Sequence, residues 1–193
     1  AGHTDARLAL RALCPLFPGT VFYQVLAHPP EAMRAEAEAF LPVAENLGFK
    51  IPCTIQGLEA TSQISSRTIV AVTGVFTPGQ AYLAAQAGAQ YVIPYVNRVT
   101  RFTGDGPGLI DAMAEVLDPT NCEILAAGIK SPAEAVETLL AGADHVSPGL
   151  HLGQCKINHQ PGQMCQQTVS AGRVVHKQQH ELGHPTHRAR LGK

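Results

Sequence analysis

No charge of either sign dominates this chain. Lys and Arg number 14 against 15 Asp and Glu, for a formal net charge of −1. Nucleic acid and acidic membrane surfaces are therefore not the expected partners. Long apolar runs are missing too, and none reaches the span of a bilayer. The opening "AGHTDARLAL" has neither the basic nor the apolar region of a signal peptide. There is no Gly-x-Gly-x-x-Gly, no Walker lysine and no compact Cys-x-x-Cys pair. A nucleotide loop and a zinc finger are both disfavoured on that ground. The five cysteines (Cys14, Cys53, Cys122, Cys155, Cys165) are scattered and odd in number. They read as reduced thiols, which points to a cytoplasmic protein and away from a disulfide framework.

What is present is an alternation. Strand-like runs "TVFYQV" (20–25), "FKIPC" (49–53), "TIVAVT" (68–73), "QYVIPYV" (90–96), "EILAAG" (123–128) and "HVSP" (145–148) are separated by helical patterns. Those patterns are "PEAMRAEAEAFLPVAENLG", "PGQAYLAAQAG", "GLIDAMAEVL" and "PAEAVETLLAG". Such alternation predicts a parallel sheet or barrel. An internal repeat sharpens this. "TPGQAYLAAQAGAQYVIP" from Thr77 and "SPAEAVETLLAGADHVSP" from Ser131 align without a gap. In each, Thr or Ser can cap a helix whose first turn holds Pro, and Gly88 or Gly142 can end it in the left-handed conformation. Two copies of one unit favour a (β/α) barrel, although a doubly wound sheet shares the local pattern.

In a βα barrel the chemistry sits at the C-terminal ends of the strands. The polar residues there are Gln24, Lys50, Thr73 and Tyr95, about one βα unit apart. Each could be an ordinary strand-end residue. Lys50 is the exception, because lysine is depleted in strands and rarely buried unpaired. An amine kept neutral by an apolar pocket can attack a carbonyl and form a Schiff base. Thr73, Tyr95 and Gln24 could hold a water for the proton transfers such a cycle needs. Cys53 lies near Lys50, but no histidine is placed to activate it, so it reads as a small core residue.

The segments "FYQV", "FKIPCTIQGLEA", "VTGVFTPGQAYLAAQAGAQYVIPYVNRV", "GDG", "LAAGIKSP" and "LLAGADHVS" resemble the small-subunit transaldolase family. Within it they are most similar to the fructose 6-phosphate aldolases. The resemblance covers roughly residues 1 to 150 and implies a TIM (β/α)8 barrel that needs no cofactor and no metal. It implies that Lys50 is the Schiff-base lysine, with Gln24, Thr73 and Tyr95 positioning the catalytic water. Gln24 stands where transaldolases carry glutamate and the aldolases glutamine. Tyr95 stands where transaldolases usually carry phenylalanine and the aldolases tyrosine. Arg98 matches the arginine that binds the substrate phosphate, and Gly128 stands where a phosphate-binding serine is usual. The implied partner is a small sugar phosphate. Relatives of this kind form homo-oligomers, which the divergent C-terminal segment here argues against.

Three departures qualify the resemblance. The family's first two strands, with their "LDT" and "TTNPS" motifs, have no counterpart, so about six strands of a truncated barrel are expected. The chain does not begin with Met and reads as a fragment or processed product. Gly128 and Ile93 replace the usual Ser and the small Ala of the aldolases. From about residue 151 to 193 the composition turns to Gln, His and basic residues, and the expectation is a disordered tail. His176, His180 and His184 would share a helix face there, but adventitious metal binding is the preferred reading. Two functions remain open: a class I aldolase or transaldolase, and an incomplete, inactive barrel of the same family, as a pseudoenzyme or a product of a shifted reading frame.

Overall fold

The computed structural model describes residues 5–148 together with the backbone of Val169–Ser170. Most of the His- and Gln-rich segment, including Cys155, Cys165, His176, His180 and His184, lies outside the described residues. Strands β1 (Val21–Gln24), β2 (Leu47–Pro52), β3 (Val70–Val75), β4 (Tyr91–Pro94), β5 (Glu123–Ile129) and β6 (His145–Pro148) follow one another in space as in sequence, all parallel. A short β7 (Val169–Ser170) pairs antiparallel with β6. Helices α1 (Ala6–Leu13), α2 (Pro30–Phe40), α3 (Ile55–Ile64), α4 (Pro78–Gln86), α5 (Val96–Thr103), α6 (Gly106–Leu117) and α7 (Pro132–Leu140) accompany them. No helix among the described residues is long and apolar enough to cross a membrane.

The two-residue period of each strand divides the sheet into two faces. On one, Phe49, Ile51, Val70, Val72, Val92, Ile124 and Ala126 pack with Met33, Ala60, Ile64, Ala81, Ala84, Ile110 and Met113 of the helices. On the other, Ala71, Ile93 and Leu125 form a separate cluster with Phe22, Tyr91 and Ala127. That second face is concave. Phe22 on β1 and Tyr91 on β4 meet edge to face with ring centroids 5.7 Å apart. In a flat sheet the two intervening strands would hold them about 14 Å apart. The sheet is therefore curled as part of a barrel, as the sequence predicts.

The repeat is realised closely. Thr77 Oγ1 accepts from Gln80 N at 3.2 Å and Ser131 Oγ from Glu134 N at 3.1 Å, each with Pro in the first turn. Gly88 and Gly142 follow the two helices with φ of 91° and 105°. The repeat also extends upstream, to glycines at the strand ends. The register shifts between Thr73 and Val75 and again between Ala127 and Ile129, around Gly74 (φ 77°) and Gly128 (φ 78°). These are bulges that glycine admits without strain.

Several boundaries differ from the sequence reading. Helix α2 stops at Phe40, because Pro42 has no N–H to continue it; a 3-10 turn follows, and Leu47 and Gly48 already belong to β2. The helix quoted as "GLIDAMAEVL" begins two residues earlier than that pattern. Asp105 caps α6 by accepting from Gly108 N at 2.7 Å, so the helix begins at Gly106. Helices α1, α3 and α5 are absent from the quoted patterns, α1 starting from an Asp5 cap. Their signals are short: the Thr54 cap for α3, and the Val96–Val99 pair with a left-handed Gly104 for α5.

Helix α3 also explains the spacing of "KIPCTIQGL". A Cβ at Gly57 would fall 1.9 Å from the Pro52 carbonyl oxygen. The helix can therefore close against the end of β2 only where no side chain exists. Gly57→Ala is expected to destabilise the fold by about 1–3 kcal/mol, as overpacking does. Urea denaturation would measure it, and an unchanged midpoint would refute the close approach.

Candidate active site

Lys50 lies on β2, paired in register with Gln24 of β1 and Ala71 of β3. Its chain neighbours Phe49 and Ile51 are fully buried on the helix side. Lys50 itself, one residue out of phase, lies with the concave face and is half-buried. It is thus not sealed in the apolar pocket expected from its neighbours, because alternation turns it away from them. Ala71 beside it is fully buried and carries little volume. Among the described residues nothing hydrogen-bonds or ion-pairs with the Lys50 amine.

Of the other candidates, Gln24 stands beside Lys50 on β1 and Thr73 lies on the adjoining β3. Thr73, only 6% exposed, shares a 3.1 Å hydrogen bond with the Tyr95 hydroxyl. Tyr95 is not within a strand. Strand β4 ends at Pro94, and Tyr95 is the residue from which α5 starts, held by a single bridge to Ala127. Its ring lies 6.2 Å from Phe76. Gln24 ends β1, and its Nε2 donates to the carbonyls of Lys50 (3.1 Å) and Val25 (3.2 Å). Its Oε1 accepts nothing among the described residues. Arg98, in the first turn of α5, is exposed and places its guanidinium 5.2 Å from the Tyr95 ring centroid. No carboxylate among the described residues pairs with it. Gly128 lies against the same ring: a Cβ there would be 3.8 Å from it, an ordinary contact.

Thr73, Tyr95, Arg98 and Gly128 thus form one connected group on β3, α5 and β5. Lys50 and Gln24 form a second on β1 and β2. The two share the concave face at the C-terminal ends of the strands. The sequence profile of the transaldolase/fructose-6-phosphate aldolase family matches residues 6–186.

The chain belongs to this family. The match continues past the motifs quoted above into the His- and Gln-rich segment. A protein of Exiguobacterium sibiricum named probable transaldolase is 34% identical over 159 residues, covering 80% of this chain and 74% of its own. Probable transaldolases of Prosthecochloris aestuarii and Thermus thermophilus are 34% and 37% identical, covering 74% and 70% of this chain and 65% and 62% of theirs. The chain therefore spans about two thirds of the length of most of these relatives. Among solved structures, an inosine 5'-monophosphate dehydrogenase of Legionella pneumophila aligns with TM-score 0.55 at 19% identity, over 75% of this chain and 47% of that one. A mandelate oxidase with benzoyl-formic acid aligns with TM-score 0.55 at 13% identity, over 71% and 51%. At these identities the likeness concerns the fold alone.

Two residues beside the site were not singled out from sequence. Tyr23, next to Gln24, donates its hydroxyl to Glu36 of α2 at 2.7 Å and stacks on Phe40 with ring centroids 4.3 Å apart. The other Glu36 oxygen accepts from the backbone N–H groups of Leu26 (3.0 Å) and Ala27 (2.7 Å). Tyr23 occupies a helix-facing position of a short strand and Glu36 one of several Glu residues in α2, so no local pattern distinguishes either. Beyond them, His28, Pro29, Thr54 and Gln56 line an open cleft of about 430 Å3.

Burial, followed by the hydrogen bond to Glu36 and its negative charge, pushes the Tyr23 phenol up to about 12. A pKa raised in the folded state means that the neutral phenol stabilises the fold. That contribution is whole below the ordinary phenol value of about 10 and is lost as pH rises through about 12. The stability advantage of the wild type over Tyr23→Phe should therefore shrink across this window. Cys122, also pushed up to about 12 by burial and then by Asp144 and Glu123, titrates in both proteins and cancels in the difference. Denaturation midpoints on either side of the window would check it; a constant difference would contradict it.

Proposed function

We propose that this chain is a Schiff-base aldolase or transaldolase of sugar phosphates, with Lys50 as the nucleophile. The observation that carries the reading is the position of Lys50. It is a half-buried amine on the concave face, level with Gln24 and next to the strand that bears the Thr73–Tyr95 pair, in a chain of the transaldolase/fructose-6-phosphate aldolase family.

The unprotonated amine adds to the carbonyl carbon of a ketose phosphate such as fructose 6-phosphate. The carbinolamine then loses its hydroxyl as water, leaving an iminium. Proton loss from the hydroxyl on the far carbon of the scissile bond turns that carbon into the carbonyl of a departing aldehyde. The bonding pair is drawn into the iminium and leaves an enamine of the dihydroxyacetone unit. Protonation of the enamine carbon followed by hydrolysis releases dihydroxyacetone, which is aldolase turnover. Addition of that carbon to an acceptor aldehyde is transaldolase turnover. Both courses need a water that gives and takes protons. The Thr73 and Tyr95 hydroxyls and the free Gln24 Oε1 supply donors and acceptors for one. The combination of Gln24 with Tyr95 favours the aldolase course.

Arg98 and the bulged backbone at Gly128 flank Tyr95 and suit the phosphate, Arg98 through its planar fork of donors. A serine hydroxyl at 128 would add a donor but would have to adopt a positive φ, at about 1–2 kcal/mol. Gly128→Ser is accordingly expected to lower KM for a phosphorylated substrate relative to dihydroxyacetone while lowering the denaturation midpoint. An equal change in KM for both compounds would remove Gly128 from the phosphate site.

The test of the reading is direct. The chain is incubated with fructose 6-phosphate, treated with borohydride and mapped by mass spectrometry. The expected result is an adduct on Lys50, absent in Lys50→Arg, whose guanidinium stays protonated. A folded wild-type chain without that adduct would overturn the reading, in favour of an incomplete barrel without turnover.

A further inference from the structure

We infer that Glu36 is a positioning residue for the catalytic group, acting through the loop that leaves Gln24. The inference rests on the Schiff-base reading above. The loop runs from Val25 through the His28–Pro29 peptide into α2, and its first three backbone donors have assigned acceptors. Val25 N donates to the Lys50 carbonyl at 3.0 Å. Leu26 N and Ala27 N both donate to one Glu36 oxygen, and Tyr23 OH donates to the other. A carboxylate on a helix flank is ordinarily solvated. This one instead receives two consecutive backbone N–H groups and a phenol, a concave donor set suited to an anionic oxygen.

The consequence reaches the site through Gln24. Its amide is held by the carbonyls of Val25 and Lys50. Val25 is therefore shared between the Gln24 side chain and the loop that Glu36 fixes. If Glu36 is removed, Leu26 and Ala27 lose their acceptor and the loop is loosened, and with it the Val25 carbonyl, one of the two acceptors that orient the Gln24 amide. Lys50 is anchored independently, through β2 and the buried Phe49 and Ile51 on either side of it. Loss of Glu36 should thus spare the nucleophile and disturb the group that assists carbinolamine dehydration. Helix α2 carries Glu36 on the same side as the buried Met33 and Ala37, so the carboxylate moves with the core.

The experiment follows the rate and the final yield of imine formation on Lys50 separately. The full chain is mixed with dihydroxyacetone, quenched with borohydride at successive times, and the Lys50 adduct is quantified. Glu36→Ala is expected to slow the approach to the plateau by about tenfold, as a misplaced proton-transfer group does, without changing the plateau. Glu36→Gln is expected to restore the rate to within about twofold, since its carbonyl oxygen can take both backbone donors while the Tyr23 hydroxyl turns to accept from its amide. If Glu36→Ala does not fold, Glu36→Asp carries the same expectation, because it withdraws the carboxylate by one methylene. A purely structural role would lower the denaturation midpoint and leave the rate unchanged, which would overturn the inference while wild-type labelling of Lys50 upheld the Schiff-base reading. Absence of the adduct in the wild type would overturn that reading and this inference with it.

Discussion

Everything at this site depends on the division of a curled parallel sheet into two faces. Helices cover one face, and the aliphatic residues at alternate positions of β2 to β5 are committed to them. The remaining positions turn inward by the two-residue period of the strand. The curl then brings them toward one another, so that Phe22 and Tyr91 touch across two intervening strands. A one-residue slip of β2 would bring Phe49 or Ile51 inward and put Lys50 among the helices. Burial of that strand's apolar face is thus what fixes the direction of Lys50.

The strand ends depend on a second device. Bulges at Gly74 and Gly128 occupy equivalent places in the two copies of the repeat. Each comes just before a capped helix that begins on Thr77 or Ser131. Between them, β4 stops at Pro94 and the chain turns into α5 at Tyr95. Tyr95 can therefore hydrogen-bond back to Thr73 on one side and bridge to Ala127 on the other. Arg98 follows on the first turn of α5 and shares the Tyr95 ring with Gly128. Thr73, Arg98 and Gly128 are thus linked through one aromatic side chain.

Family membership narrows the chemistry without assigning it. The relatives are named probable transaldolases, and the chain spans about two thirds of the length of most of those compared. The structural neighbours are larger proteins of other names, similar in fold alone. What specifies the proposed reaction is the residue set on the concave face, above all the amine of Lys50 beside the Gln24 amide.

The alternation of runs, the capped repeat and the late-strand positions of Gln24, Lys50 and Thr73 were legible in the sequence, because each is a local pattern with a local cause, whereas Tyr95 lies just past its strand at the start of α5. Caps, prolines and strand periods act over a few residues. Tertiary structure alone decided the exposure of Lys50, which follows from which face of β2 the helices cover. It alone decided the start of α5, where a short polar segment gains its order from burying Val96 and Val99. It alone showed Glu36 gathering Tyr23, Leu26 and Ala27. That carboxylate and its donors are up to 13 residues apart in the chain. They meet because a helix packs beside the strand it follows, and no periodicity along the sequence encodes such a meeting.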